Sequence, residues 1–122
     1  MKRSILIVDD EPGLADTLAI IFKRAGYAAN AVYNCADAIA SIENGEPSLV
    51  ITDVIMPGMS GVELARTIRA RYPLCRVLLF SGNADAQYLL DASQEQGDVF
   101  EVLAKPVPPL QSLSKVAELL SA

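Results

Sequence analysis

Five short apolar runs recur along the chain, each of the length of a β-strand. They are Ile5 to Val8, Ala28 to Tyr33, Leu49 to Thr52, Val77 to Phe80, and Val99 to Leu103. The first and fourth runs contain no polar residue, which is typical of strands that are covered on both faces of a parallel sheet. The pattern therefore predicts five strands, most of them buried.

The segments between the runs have the spacing or the capping residues of helices. In the first segment, apolar residues repeat at i, i+4, i+7 and i+8 from Leu14, which makes one apolar stripe on a helix. Ser60 and Glu63 have the spacing of a capping box, which opens a helix. The first predicted helix contains this stripe, and the other four run from Asn34 to Asn44, Ser60 to Tyr72, Ala84 to Gln96, and Pro108 to Leu120.

Strands that alternate with single helices predict an α/β fold. Right-handed crossovers then place helices on both faces of one doubly wound parallel sheet. The alternation fills the chain from Ser4 to Leu120, so we expect a single domain over residues 1 to 122.

Composition and charge exclude several classes of function. Ten Lys and Arg against fifteen Asp and Glu give a formal charge of −5, which is unfavourable for binding nucleic-acid phosphates. The sequence has no histidine, so the usual zinc sites and every histidine-based triad are excluded. No apolar run exceeds five residues, which is too short to cross a bilayer. We expect a cytoplasmic protein whose two cysteines are reduced.

Charged or reactive side chains lie at the ends of four predicted strands. They are Asp9 and Asp10 after the first strand, Asp53 after the third, Ser81 after the fourth, and Lys105 after the fifth. Taken singly, each has an ordinary explanation as a turn, cap or loop residue. In an open parallel sheet, however, the ligand crevice lies at the carboxyl ends of the strands. We therefore expect these five side chains to form one site.

The residue types at this site favour phosphoryl chemistry. Three carboxylates repel one another, by about 4 kcal/mol for each pair roughly 4 Å apart at an effective dielectric of about 20. A hard cation such as Mg²⁺ relieves this repulsion, and Lys105 adds a positive charge suited to phosphate. An aspartate can accept a phosphoryl group. Asp53, which stands apart from the adjacent Asp9 and Asp10, is the better candidate acceptor.

The motifs resemble the receiver domain of two-component response regulators over essentially the whole chain. They are Ile5 to Pro12 with its two aspartates, Asp53 to Gly61, Ser81-Gly82, and Lys105-Pro106. The resemblance implies a flavodoxin-like, five-stranded sheet in the order 2-1-3-4-5, with no output domain. It also implies that Asp53 takes a phosphoryl group from a histidine kinase or phosphotransfer protein.

The same resemblance implies a role for each site residue. Asp10, Asp53 and the main-chain carbonyl of Ile55 would bind Mg²⁺ directly, and Asp9 would hold it partly through water. Ser81 would hydrogen-bond the phosphoryl group, Lys105 would pair with it, and the Lys105–Pro106 peptide would be cis. Phosphorylation would reorganise the face of helix 4, strand 5 and helix 5 for a downstream protein, without direct contact to nucleic acid or membrane.

Three positions affect how such a receiver would switch. Val102 stands where most of the family has an aromatic residue that couples phosphorylation to the output surface, and Phe100 lies about 7 Å away on the same side of the strand. We therefore expect the signal to pass through the loop after Ser81. Gly82, often alanine in the family, would open the phosphoryl group to water, whereas Ile55 cannot orient an attacking water. We expect Ile55 to dominate and hydrolysis to be slow.

Two alternatives remain open from the sequence. One is a receiver-like module that binds its partner without phosphorylation, which Val102 in place of the usual aromatic residue leaves open. The other is a small Mg²⁺-dependent phosphohydrolase of the haloacid-dehalogenase type, which also combines Asp, Ser or Thr, and Lys. Such hydrolases have two aspartates spaced two apart after the first strand, whereas Asp9 and Asp10 are adjacent, and 122 residues leave no room for a cap domain.

Overall fold

The computed structural model describes residues 2–121, in which five strands alternate with five helices. The strands are β1 (Ser4–Val8), β2 (Ala28–Val32), β3 (Leu49–Asp53), β4 (Arg76–Ser81) and β5 (Glu101–Ala104). The helices are α1 (Pro12–Arg24), α2 (Cys35–Asn44), α3 (Gly61–Arg71), α4 (Ala84–Glu95) and α5 (Pro109–Ser121). Within this part of the chain, no helix combines the length and apolar character needed to span a bilayer.

All five strands are parallel and lie in the order β2-β1-β3-β4-β5. This confirms the predicted doubly wound α/β fold. The register pairs Val8 with Thr52, Asp53 with Phe80, and Ser81 with Ala104. The carboxyl ends of β1, β3, β4 and β5 are therefore level, and the residues that follow them meet at one edge of the sheet.

Apolar layers cover both faces of the sheet. On one face, Phe22 of α1 is fully buried and packs with Val116 of α5 against the central strands. On the other face, Leu64 and Ile68 of α3 pack with residues of α2, and a smaller cluster beneath α4 includes Val54. Because the central strands are buried on both sides, their sequences are almost continuously apolar.

Capping bonds confirm the predicted starts of α2 and α3. The Asn34 side chain accepts from the Asp37 N–H at 2.7 Å, and the Ser60 hydroxyl accepts from the Glu63 N–H at 3.2 Å. These bonds satisfy N–H groups that have no partner within the helix. The first helix, whose apolar stripe begins at Leu14, starts at Pro12, where the missing N–H of proline carries no penalty.

The predicted fifth strand, Val99 to Leu103, begins too early. In the structure β5 starts at Glu101, because Val99 and Phe100 belong to the connection from α4. Arg69 of α3 donates to the Val99 carbonyl at 2.9 Å, and its guanidinium lies 4.1 Å from the centroid of the Phe100 ring. Contacts with a helix thus replace strand pairing there.

Gly61, the first residue of α3, is required by space. A Cβ atom at this position would lie 2.0 Å from the Asp53 carbonyl oxygen and 3.0 Å from the Val54 Cα. Both obstacles are main chain, so no side-chain rotation relieves the clash. The start of α3 is therefore packed directly against the end of β3.

The two cysteines are free and buried at opposite edges of the sheet. Cys35 opens α2 after the carboxyl end of β2, and Cys75 precedes the amino end of β4. Burial raises the pKa of the Cys75 thiol to about 12, with a further contribution from the negative charge of Glu46. Folding therefore favours the protonated thiol.

Gly61→Ala is expected to destabilise the protein by about 3 kcal/mol, because the added methyl group overpacks a site bounded by main chain. Gly13→Ala is the matched control. Nothing lies within 4 Å of a Cβ there, and alanine in a helix is favoured over glycine by roughly 0.5–1 kcal/mol. Urea unfolding measures both changes, and equal free energies of unfolding for the two variants would contradict the packing argument.

Cys75 is expected to react slowly with iodoacetamide at pH 8. Raising the pKa from 9.0 to about 12 lowers the thiolate fraction roughly a thousandfold, and the thiolate is the nucleophile. The raised pKa also makes the free energy of unfolding depend on pH. The unfolded chain loses this proton at a lower pH than the folded protein, so the free energy of unfolding declines as the pH rises above about 9. A Cys35→Ser protein isolates Cys75, and equal labelling rates in buffer and in urea would contradict the prediction.

Candidate functional site

Three carboxylates converge at the carboxyl edge of the sheet. Oxygen atoms of Asp9, Asp10 and Asp53 all lie within 4.8 Å of one another. Asp9 is only 4% exposed, Asp53 is half-buried at the end of β3, and Asp10 is exposed. Their proximity follows from the pairing of β1 with β3, which places the residue after Val8 beside Asp53.

Lys105 brings a positive charge into this cluster. Its Nζ lies 3.0 Å from Asp53 Oδ2 and 3.5 Å from Asp9 Oδ2. The main chain holds the lysine in place, since its N–H donates to the Ser81 carbonyl at 2.8 Å. The Lys105–Pro106 peptide is cis, as the sequence resemblance implied.

Burial and pairing act against each other on the ionisable groups. Burial raises the pKa of the Asp53 carboxyl, while the hydrogen bond and charge of Lys105 lower it and the charge of Asp9 raises it. The net result is a raised pKa. For Lys105, burial lowers the pKa, but the pairs with Asp53 and Asp9 more than offset this, so its pKa is also raised. The ammonium therefore stays charged.

Hydrogen bonds of the main chain anchor the residues around the Asp53 carboxylate. The Val54 N–H donates to the Phe80 carbonyl at 3.1 Å, and the buried Val54 side chain anchors the turn after Asp53. Asp9 Oδ1 accepts from the Glu11 N–H at 3.0 Å. The first bond fixes the main chain next to Asp53, and the second fixes the Asp9 carboxylate.

Ser81 and Gly82 lie at the same edge of the sheet. Ser81 is half-buried and ends β4, in register with the residue before Lys105. A Cβ on Gly82 would lie 3.3 Å from Lys105 Cδ, closer than ordinary van der Waals contact. Gly82 therefore leaves room for the aliphatic part of the lysine side chain.

The donor set fits a hard divalent cation. Asp9, Asp10 and Asp53 offer only oxygen atoms, and their separations allow one ion to contact all three. Carboxylate ligands favour Mg²⁺, Ca²⁺ or Mn²⁺ over softer metals. Three carboxylates against one lysine also leave a negative charge that a cation would balance.

The sequence reasoning anticipated the polar site but missed an apolar groove beside it. The structure brings together the three aspartates and Lys105, and places Ser81 at the same edge. Next to them, a cavity of about 450 Å³ runs between α1 and the connection from β5 to α5. Its apolar lining includes Leu14, which is 47% exposed. The apolar residue Leu14 in the first turn of α1 could have indicated this groove from the sequence.

Comparison with known proteins assigns the chain to a family. A family model for the response regulator receiver domain matches residues 5–117. A CheY-like receiver domain protein from Methanospirillum hungatei JF-1 is 27% identical with a TM-score of 0.86, and the match covers 99% of this chain and 95% of that chain. The receiver domain of a signal transduction histidine kinase from Syntrophus aciditrophicus is 30% identical with a TM-score of 0.84, covering 98% and 90%.

A receiver domain protein from Clostridium thermocellum, at 22% identity, supports the fold, with a TM-score of 0.86 and coverage of 98% and 94%. The family match spans nearly all of the residues that build the sheet, the acidic cluster and Lys105. The chain therefore belongs to the family of response regulator receiver domains, the signalling modules of two-component systems.

Proposed function

We propose that this receiver accepts a phosphoryl group on Asp53 from a histidine kinase or a phosphotransfer protein, in a reaction supported by Mg²⁺. The observation that carries the proposal is the contact of Lys105 with Asp53, inside a group of three carboxylates that can hold a divalent cation. This combination provides a nucleophile, a metal site and a fixed positive charge within one crevice.

In the proposed reaction, an oxygen of the Asp53 carboxylate attacks the phosphorus atom. The bond between phosphorus and the donor's imidazole nitrogen breaks as the new oxygen–phosphorus bond forms. The nitrogen keeps the electron pair. The protein contributes mainly placement and charge, because phosphoryl transfer requires little covalent work from surrounding groups.

Each neighbouring group has a defined part in this reaction. Lys105, held 3.0 Å from Asp53 Oδ2, lowers the pKa of the Asp53 carboxyl and so opposes part of the effect of burial, and it then pairs with the phosphoryl oxygens. The Ser81 hydroxyl donates a hydrogen bond to the same group. Mg²⁺, held by Asp9, Asp10, Asp53 and the main-chain carbonyl of Ile55, would neutralise charge on the phosphoryl oxygens.

We further propose that the output passes to a protein through the face of α4, β5 and α5. Exposed apolar side chains on this face support the proposal: Tyr88 of α4 is 73% exposed and Leu110 of α5 is 80% exposed. The net charge of −5 disfavours a direct nucleic-acid partner. Because histidine kinases draw on ATP, the proposed exchange belongs to the cytoplasm.

Incubation with acetyl phosphate and Mg²⁺ is expected to add one phosphoryl group to the wild-type protein, measured by intact mass. Asp53→Asn removes the nucleophile and should gain no mass. Asp85→Asn, which alters an acid in the first turn of α4 outside the cluster, should behave as wild type. Chelation of Mg²⁺ by EDTA should suppress the adduct.

Two results would redirect the assignment. A wild-type protein that gains no mass but still binds a partner would favour the phosphorylation-independent module. Continuous release of phosphate from simple phosphate esters would favour the phosphohydrolase.

Ile55→Asn is expected to shorten the lifetime of the phosphorylated protein by at least about tenfold, because an amide beside the site can orient an attacking water. The Ile55 side chain is 38% exposed, so the change should not disturb the core. Ile55→Leu keeps an apolar side chain and should leave the lifetime unchanged. Phosphate loss is followed by intact mass over time, and an Asn variant as slow as wild type would contradict the idea that Ile55 slows hydrolysis.

A further inference from the structure

The first residue of helix α3 packs directly against the main chain at Asp53. This residue, Gly61, donates its N–H to the Val54 carbonyl at 2.8 Å, immediately after Asp53. The same residue is packed so closely on the Asp53 carbonyl that even a Cβ is excluded. A displacement of the main chain around Asp53 therefore bears directly on the start of α3.

Two arginines in the second half of α3 contact the connection between α4 and β5. Arg66 Nε lies 2.8 Å from Asp98 Oδ2, and its Nη2 donates to Gln96 Oε1 at 2.6 Å. One turn further, Arg69 donates to the Val99 carbonyl and stacks on the Phe100 ring. We call these contacts of Arg66 and Arg69 with residues 96–100 the arginine clamp.

The contacts that hold residues 96–100 are partly exposed to water and can break and re-form. The side chains of Arg66 and Asp98 are 38% and 36% exposed, and water competes with such surface pairs. On the inner side, the Ser93 hydroxyl donates to the Asp98 carbonyl at 3.1 Å, and the Asp98 N–H donates to the Ser93 carbonyl at 3.0 Å. Cavities of about 130 and 470 Å³ flank Phe100, so the ring has room to move.

We propose that α3 and its arginine clamp couple the phosphorylation state of Asp53 to the 96–100 segment, so that phosphorylation shifts the environment of Phe100. An α-helix is internally hydrogen-bonded along its length, so α3 moves as a unit when its first turn is displaced. The clamp then transfers that movement to the segment that leads into β5. This inference rests on the proposed phosphorylation of Asp53.

The three phenylalanines of the chain allow one spectrum to test the coupling. Labelling with 4-fluorophenylalanine places one ¹⁹F probe at each, and single Phe→Leu variants assign the signals. Phe80 is next to Ser81 and lines the groove beside Lys105, so it reports the site. Phe100 reports the clamp, and Phe22, fully buried in the α1 layer, is the remote reference.

The variant is Arg66→Gln combined with Arg69→Gln, and its matched control is Arg71→Gln. Arg71 lies on the same helix but contacts Glu43 and Tyr72, away from the 96–100 segment. Spectra are recorded for each protein before and after treatment with acetyl phosphate and Mg²⁺, with intact mass measured on the same samples. Thermal unfolding confirms that each variant is folded.

In wild type and Arg71→Gln, phosphorylation is expected to shift the Phe80 and Phe100 signals and leave Phe22 in place. In the double variant, the phosphoryl adduct and the Phe80 shift should remain, while most of the Phe100 shift is lost. A Phe100 shift as large in the double variant as in wild type overturns the coupling through α3. Absence of the adduct in wild type instead overturns the proposed function, and the coupling with it.

Discussion

The charge balance around Lys105 is the interaction on which the site depends. A single ammonium contacts both Asp53 and Asp9, while burial acts against the charge of the ammonium and of the Asp53 carboxylate. Three carboxylates so close together repel strongly, and one lysine compensates only part of that repulsion. The remaining negative charge explains why this edge of the sheet suits a divalent cation.

This balance is maintained by rigid structure beneath it. Val54 is completely buried, and its N–H is bonded to the neighbouring strand. Gly61, which has no side chain, allows the start of α3 to pack directly against the carbonyl of Asp53. Asp53 is consequently part of a strand end with little freedom, and any displacement there must be accommodated by neighbouring elements. Helix α3 is one such element, since it contacts the site at one end and residues 96–100 near the other.

Much of the fold and the polar site could be predicted from local patterns. The apolar runs predicted β1 and β3 to within one residue, because central strands buried on both faces tolerate almost no polar side chains. The caps at Asn34 and Ser60 located α2 and α3, because a capping side chain acts on the next few residues. The start of β5 could not be predicted in this way. Val99 and Phe100 are apolar and would suit a strand, but Arg69 contacts both of them instead. Arg69 and Val99 are 30 residues apart in the chain, so a local pattern cannot show this contact.

The sequence by itself determined which chemical groups are available: the acid pair after β1, Asp53, Ser81 and Lys105, all at strand ends. Order and spacing along the chain were enough for that, because a parallel sheet collects the carboxyl ends of its strands at one edge. Only the tertiary structure decided how these groups are paired, how far they are buried and which helix is packed against Asp53. Those properties depend on distances between residues far apart in the chain, and a sequence pattern carries no measure of such distances.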